Sequence, residues 1–371
     1  MRLVSTRSCK PGAKLGKAIF GETGQILLGK DVELTERLLI RLEEYGVTYI
    51  YIEDPLTEDV VIEGAISDEL RREATQTVRN EFRKLMNDTL KTTKSVNPPD
   101  LASTFKSLVN SLIDELTSTS QAMIMLSDMQ ISDHYLYQHS LNVCLYATQL
   151  GMSYGYNRND LYMLSLGALM HDIGKTKISR ELLLKPGKLT PEEYEKVKKH
   201  AEIGFDILRG MPNIPLLSAH CAFQHHERLD GSGYPRGLKG EEIHDYARWV
   251  GIVDVFDAMT THRVYRRAML PHEAVDILYA GSMNHFDREK LSWFRDKIAI
   301  YPLGIEVTLN TGEIGVVVDL NANIPHRPIV RIVEMEDGGS ILAPYEVDLS
   351  KKLSVMITDV NRSRQLGKPR P

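Results

Sequence analysis

Cysteine is scarce in this chain of 371 residues: Cys9, Cys144 and Cys221 are scattered, and none stands at CxxC spacing. That excludes a disulfide framework and reads as buried thiols in a reducing compartment. Also missing is any apolar run of about 18 residues, the length needed to cross a bilayer. The start, MRLVSTRSCKPGAK, lacks the apolar core of a signal peptide. Nor is there a large charge of either sign. With a formal net charge of −5, no global field draws the chain to nucleic acid or to an anionic membrane, and an anionic substrate must be met by locally placed cations. These absences predict a cytoplasmic protein with no nucleic-acid partner and no membrane insertion. At 42% hydrophobic and 26% charged residues, the composition is that of a soluble globular protein with room for two or three domains.

The pattern along the chain changes several times. Residues 1–66 are rich in Gly and β-branched residues. KAIFGETGQILLG predicts a hairpin around Glu22-Thr23-Gly24, ELTERLLIRLEEYG a helix stopped by Gly46, and VTYIYIED a strand, together a small α+β module. Residues 67–131 read as long amphipathic helices. Leu70, Ala74, Val78, Phe82 and Leu85 share one face of the first. After Asn97-Pro98-Pro99, a second carries Leu101, Phe105, Leu108, Leu112, Leu116, Thr119, Met123 and Leu126. These steps of four and three resemble a coiled-coil seam, whose partner is either the rest of the chain or a second copy in a homodimer through residues 68–131.

Residues 132–300 predict helices over 134–151, 159–171, 191–209, 215–226, 243–260, 271–280 and 287–299. Thr190-Pro191-Glu192-Glu193 makes a good start for the third, with a capping Thr, Pro in the first turn and acids facing the dipole. Residues 301–371 switch to period-two alternation. They predict hairpins around Asn310-Thr311-Gly312 and within RPIVRIVEMEDGGSIL, hence a small β barrel or sandwich, then a frayed tail, NRSRQLGKPRP. The fold class is mainly α: an all-helical domain between a small α+β module and a small β domain.

The segment LGALMHDIGKTKI ends an apolar helix on His171 and Asp172, with Lys175 just beyond. The same block holds His139, His200, His225, His226 and Asp254. A binuclear site for divalent ions needs imidazoles and at least one bridging carboxylate, and Asp172 suits the bridge because its neighbour can hold one metal while it spans both. His225 and His226 lie about 100° apart on a helix, so both reach one cavity only if the helix ends there. A lone His in a helix is more often a hydrogen-bonded structural residue, so the composition alone does not decide.

Order and phrasing add more. In sequence, YQHSLNV, HDIGK, KPGKLTPEEYEKVKKHAEIG, QHHERLDGSGYPRGLKGEEI and VDVFDAMTTHRVYRRA resemble the HD-GYP family, a branch of the HD phosphohydrolase superfamily, from Tyr135 to about Trp293. The resemblance implies an HD-type catalytic domain of bacterial second-messenger signalling. Its implied activity is a metal-dependent phosphodiesterase that opens cyclic di-GMP to linear pGpG, GMP or both by attack of a metal-bridging hydroxide. It further implies His139, His171, Asp172, His200, His225, His226 and Asp254 as metal ligands, and Asp172 with Lys175 as catalytic residues. Tyr234, Arg263 and Arg266 are the implied substrate contacts, Asp257 is counted with them as orienting either a ligand or the substrate, and the GYP loop is an implied docking place for a protein partner. Family members with a third metal carry Glu four residues before the first His; here Tyr135 stands there, which leaves two divalent ions, Fe or Mn favoured over Ni, Co or Zn. The usual Asp-Arg-Pro-Tyr segment reads His262-Arg263-Val264-Tyr265, keeping the cation. Two alternatives stand beside turnover of cyclic di-GMP: a non-catalytic receptor or interaction scaffold, and a hydrolase of another cyclic dinucleotide.

Overall fold

The structure, a computed structural model, describes residues 1–21, 25–62, 64–87, 101–118, 135–185, 187–261, 268–281, 284–335 and 340–360. The hairpin tip at 22–24, the seam positions Thr119, Met123 and Leu126, Arg263, Arg266 and the tail after residue 360 lie outside the described residues.

The chain divides into two compact units. One joins residues 1–62 to residues 298–360. Its first half runs β1 (Arg2–Ser5), β2 (Ile19–Phe20), β3 (Ile26–Leu28), α1 (Glu36–Glu44) and β4 (Tyr49–Ile52). β1 pairs antiparallel with β4, and β2 with β3. Thr35 caps α1 by accepting from the Leu38 amide, and Leu39 and Leu42 turn inward to meet Leu15, Ile19, Leu34 and Ile50. The second half runs β5 (Glu306–Leu309), β6 (Glu313–Asp319), β7 (Ile329–Met335), β8 (Ser340–Asp348) and β9 (Ile357–Val360). These strands form one antiparallel sheet in the order β8-β7-β6-β5-β9. The turn at Asn310-Thr311-Gly312 joins β5 to β6 as expected, with Gly312 in the left-handed region at φ 81°.

The expected small β domain is one five-stranded antiparallel sheet. One expectation needs revision here. The N- and C-terminal modules, expected as separate flanks, are one unit. The Leu3 amide donates to the Gly304 carbonyl at 2.8 Å, Arg2 pairs with both Asp54 and Glu306, and Arg331 grips Asp59 with two hydrogen bonds of 2.7 and 2.6 Å. Such pairings join residues far apart in sequence, and local periodicity carries no trace of them.

The second unit comprises residues 64–118 and 135–297. It contains α2 (Asp68–Asn87), α3 (Leu101–Ser118), α4 (Tyr135–Tyr154), α5 (Arg158–Met170), α6 (Arg180–Leu183), α7 (Pro191–Lys198), α8 (His200–Arg209), α9 (Leu216–Gln224), α10 (Asp245–Thr260), α11 (Pro271–Ala280) and α12 (Arg288–Lys297). A 3-10 turn over Ile173–Lys177 follows α5. α4, α5, α9 and α10 pack on one another around a core that includes Trp249 and Phe256. α2 packs on α4 and the 3-10 turn, and α3 on α4 and α5. Ala74, Val78, Phe82, Phe105, Leu112 and Leu116 are consequently buried, so the apolar stripes of the seam are covered within the chain. Among the described residues no helix is long and apolar enough to cross a membrane.

The helix expected over 191–209 is two helices. Thr190 and Glu193 form the capping box of α7, but the chain breaks at Lys199 and restarts at His200. The break turns His200 inward, and its Nδ1 bonds the Val197 carbonyl at 2.7 Å.

Candidate metal centre

All seven candidate ligands meet in the helical unit. His139 comes from α4, and His171 and Asp172 from the residues just after α5. His200 opens α8, His225 and His226 follow the last residue of α9, and Asp254 lies in α10. Because α9 stops at Gln224, the adjacent His225 and His226 escape helical divergence and face one place. Gly174 allows the turn carrying Asp172 to press on α8: a Cβ there would lie 1.9 Å from the His200 carbonyl oxygen.

The ligands form two groups, each with its donor atoms mutually within 4.8 Å: Asp172 with His200, His225 and His226, and His139 with His171 and Asp254. Asp172 faces both. Its Oδ1 lies 3.4 Å from His200 Nε2 and 3.8 Å from His225 Nε2; its Oδ2 lies 3.4 Å from His171 Nε2 and 3.6 Å from His139 Nε2. One carboxylate thus spans the two groups, and Lys175 Nζ donates to its Oδ2.

The outward ring nitrogens are occupied. His171 Nδ1 bonds the Ala168 carbonyl at 2.7 Å, and His225 Nδ1 bonds the Cys221 and Ala222 carbonyls at 3.0 Å. Carbonyls accept only, so each Nδ1 carries the hydrogen and each Nε2 lone pair turns inward when the ring is neutral. Burial, then the Lys175 charge, push His200 down to about 4. Burial first, then neighbouring imidazoles, press His225 and His226 well below the usual range. Burial opposes charge on Asp172 and Asp254 too, yet Lys175 and His171 at the first, and His139 and His226 at the second, keep both carboxyls well below their ordinary range.

At His200 and His225 the result is inward lone pairs beside the Asp172 carboxylate. His200 Nε2 and His225 Nε2 are 3.4 Å apart, and Asp172 Oδ1, beside both, is buried without a hydrogen-bond donor among the described residues. Buried acceptors of this kind are costly unless a cation satisfies them. Imidazole with carboxylate is the donor chemistry of borderline divalent ions, and these residues fit it.

Of the two roles expected for Asp257, the substrate contact is excluded: it would need to face the cleft, and Asp257 is fully buried behind His139. Its Oδ2 is 2.7 Å from His139 Nδ1, and its Oδ1 accepts from Asn142 Nδ2 at 2.9 Å. It orients an imidazole and touches no solvent. Burial opposes charge on His139, but its bonds to Asp254 and Asp257 prevail and raise its pKa.

A cleft of about 1330 Å³ opens onto His200, His226 and Asp254. Tyr234 lines it, stacked on His226 with ring centres 4.6 Å apart. The Tyr234 loop is pinned from beneath: buried Glu227 accepts from the Arg236 and Leu238 amides at 2.8 and 2.9 Å. At Gly233 a Cβ would lie 2.4 Å from the Arg228 nitrogen, so the loop's close approach requires glycine. Six basic side chains line the cleft against one carboxylate, Asp254. Several of these, Arg83, Arg180 and Lys188 among them, were not singled out from the sequence, where a cation on an amphipathic helix or loop looks like any solvated charge.

Residues 129–289 match the family model described as HD domain, and residues 306–368 match one described as KOW domain associated with HD domain. Residues 129–289 are thus similar to an HD domain. A cyclic di-GMP phosphodiesterase of Pseudomonas aeruginosa is 33% identical over 225 residues, 60% of this chain and 54% of that protein. One of Thermotoga maritima is 40% identical over 162 residues, 43% of this chain and 44% of that protein. A 3′3′-cGAMP-specific phosphodiesterase of Vibrio cholerae is 35% identical over 168 residues, 45% of this chain and 36% of that protein. The chain spans about half the length of the curated relatives it matches, or less. Within the matched region α4, the end of α5, α8, the end of α9 and α10 deliver the clustered side chains, while α2 and α3 precede it.

Proposed function

We propose that this HD domain is a metal-dependent phosphodiesterase acting on cyclic di-GMP. The observation that carries the reading is Asp172: one buried carboxylate spanning two histidine groups at the floor of a basic cleft. The relatives' activities support the same substrate class. Two divalent ions, Fe or Mn, would be held by His200, His225 and His226 on one side of Asp172 and by His139, His171 and Asp254 on the other. Bound there, such ions lower the pKa of a coordinated water toward neutrality and neutralise charge on phosphoryl oxygens.

The chain's own groups supply the rest. The Nδ1 bonds hold the imidazoles in one tautomer and orientation. Lys175, anchored on Asp172, places a fixed positive charge at the cleft floor, where charge develops on a phosphoryl oxygen or leaving group. Tyr234 offers an aromatic face to a purine, and burial pushes its phenol up, so it stays protonated. In balance, the water oxygen bonds to phosphorus, the ribose 3′ oxygen leaves and takes up a proton, and the ring opens to linear pGpG. A second cycle gives GMP. The reducing-compartment thiols fit a cytoplasmic setting.

The test is metal analysis of anaerobically purified protein, with turnover of cyclic di-GMP and 3′3′-cGAMP measured after Fe or Mn is restored. Release of pGpG or GMP is the expected result. Binding without product under every metal condition overturns the enzyme in favour of a receptor. Faster turnover of 3′3′-cGAMP moves the substrate to the hybrid dinucleotide.

A further inference from the structure

We infer that α2, the helix ahead of the matched HD domain, is part of the substrate site, and that its Arg83 binds the cyclic dinucleotide directly. The inference rests on the phosphodiesterase reading above.

Arg83 and Met86 line the same cleft as His200, His226 and Asp254. Their position is enforced by the core. Ala74, Val78, Phe82 and Leu85 bury the opposite stripe of α2, with the Phe82 ring edge-on to Phe105 and Tyr137. Lys177, at the end of the HDIGK turn, donates to the Leu85 carbonyl, a favourable cation at a helix C-terminus. Tyr137 also reaches Met86. The last turns of α2 are thereby tied to the turn that carries Asp172 and Lys175, and Arg83 is held at the cleft wall.

Charge completes the argument. A cyclic dinucleotide carries two phosphates. The histidine cluster and Lys175 serve the one under attack, so the second needs a cation elsewhere. Among the lining cations, Lys175 is paired with Asp172 and Lys185 with Glu193, while Arg228 donates to the His225 and Glu227 carbonyls. Arg83, Arg180 and Lys188 make no ion pair among the described residues, and of these three only Arg83 stands on a long helix packed into the core. Its planar guanidinium can bind a phosphate through two hydrogen bonds or lie flat on a purine, which a lysine cannot do.

The test uses the full chain, because α2 is built into the core. Arg83→Ala, Arg83→Lys and wild type are compared for cyclic di-GMP binding and turnover, for hydrolysis of bis(4-nitrophenyl) phosphate (a diester with one phosphate), and for metal content and thermal unfolding. Loss of one charge-assisted contact predicts KM about tenfold higher for Arg83→Ala with kcat within about twofold. The Lys variant should fall between, and single-phosphate hydrolysis, metal content and unfolding temperature should stay at wild-type values. Wild-type KM in both variants overturns the role of Arg83 and leaves the phosphodiesterase reading standing. An equal loss on both substrates also overturns it, because it points to a disturbed centre. Failure of the wild type to bind cyclic di-GMP overturns both readings together.

Discussion

Asp257 Oδ2 lies 2.7 Å from His139 Nδ1, with both side chains closed to solvent. The relationship extends outward: Asn142 donates to Asp257 at 2.9 Å, and Gln138 donates to Asn142 at 2.9 Å. A buried carboxylate behind an imidazole fixes which nitrogen carries hydrogen and so which faces the metal. Asp257→Asn must turn its amide toward one of two donors, His139 or Asn142. The expected outcome is loss of about one bound metal ion per chain, with affinity at the His139 group reduced about 10- to 100-fold. Competitive chelator titration reads this directly; two ions held at wild-type affinity would show that Asp257 does not position His139.

Asp172→Ala should remove metal from both groups at once, since both face this one carboxylate. Metal analysis should find the variant nearly empty and turnover should be lost. Near-normal activity would mean that the reaction takes place elsewhere. In wild type, saturating Mn should raise the unfolding temperature, the stabilisation being about 2.7 kcal/mol at a free-metal concentration of 100 Kd.

Gly174→Ala tests the close approach beneath the centre. The added methyl would meet the His200 carbonyl oxygen at 1.9 Å and the Gly204 nitrogen at 2.6 Å. These are backbone atoms and cannot swing aside. A loss of about 3 kcal/mol or more is expected on denaturant unfolding, at the upper end of overpacking costs. Unchanged stability would show that the turn and α8 can separate freely.

The thiols should resist alkylation. Burial pushes Cys144 up to about 12 and raises Cys9 and Cys221 as well. At pH 8 a thiol of pKa about 12 is ionised to roughly one part in 10⁴, and the thiolate is the reactive form. Intact-mass spectrometry after brief iodoacetamide treatment should find the native chain unmodified and the urea-unfolded chain labelled at three sites. Rapid native labelling of Cys144 would contradict its burial.

The sequence was most readable where structure is local. The Thr190 capping box, the end of α5 at Met170 and the Asn310-Thr311-Gly312 turn each follow from a few neighbouring residues. The seven clustered side chains were legible because ordered motifs carried them. What periodicity could not convey was direction. The resemblance left Asp257 between orienting a ligand and orienting the substrate; only the structure shows that its partner is His139, on a different helix. Periodicity ran one helix through Lys199, because a break that turns a single His inward leaves the apolar spacing almost unaltered. It also kept the two ends of the chain apart, because strand pairing across the length of a protein depends on geometry and not on composition. Arg83 was invisible for a related reason: its meaning comes from what stands across the cleft.

The contact between Leu3 and Gly304 carries a consequence for synthesis. During translation β1 and β4 emerge early, while β5, which supplies the Glu306 partner of Arg2, follows only after the helices have been made. At about 5–20 residues per second the wait is roughly 10 to 50 s. The helical unit, residues 64–118 and 135–297, is completed before β5 emerges and can collapse during that interval. The β-rich unit closes last, with its first strands waiting for partners from the final stretch of the polypeptide. Ribosome-stalled chains ending before β5 should therefore protect the helical unit from protease while residues 1–62 remain sensitive.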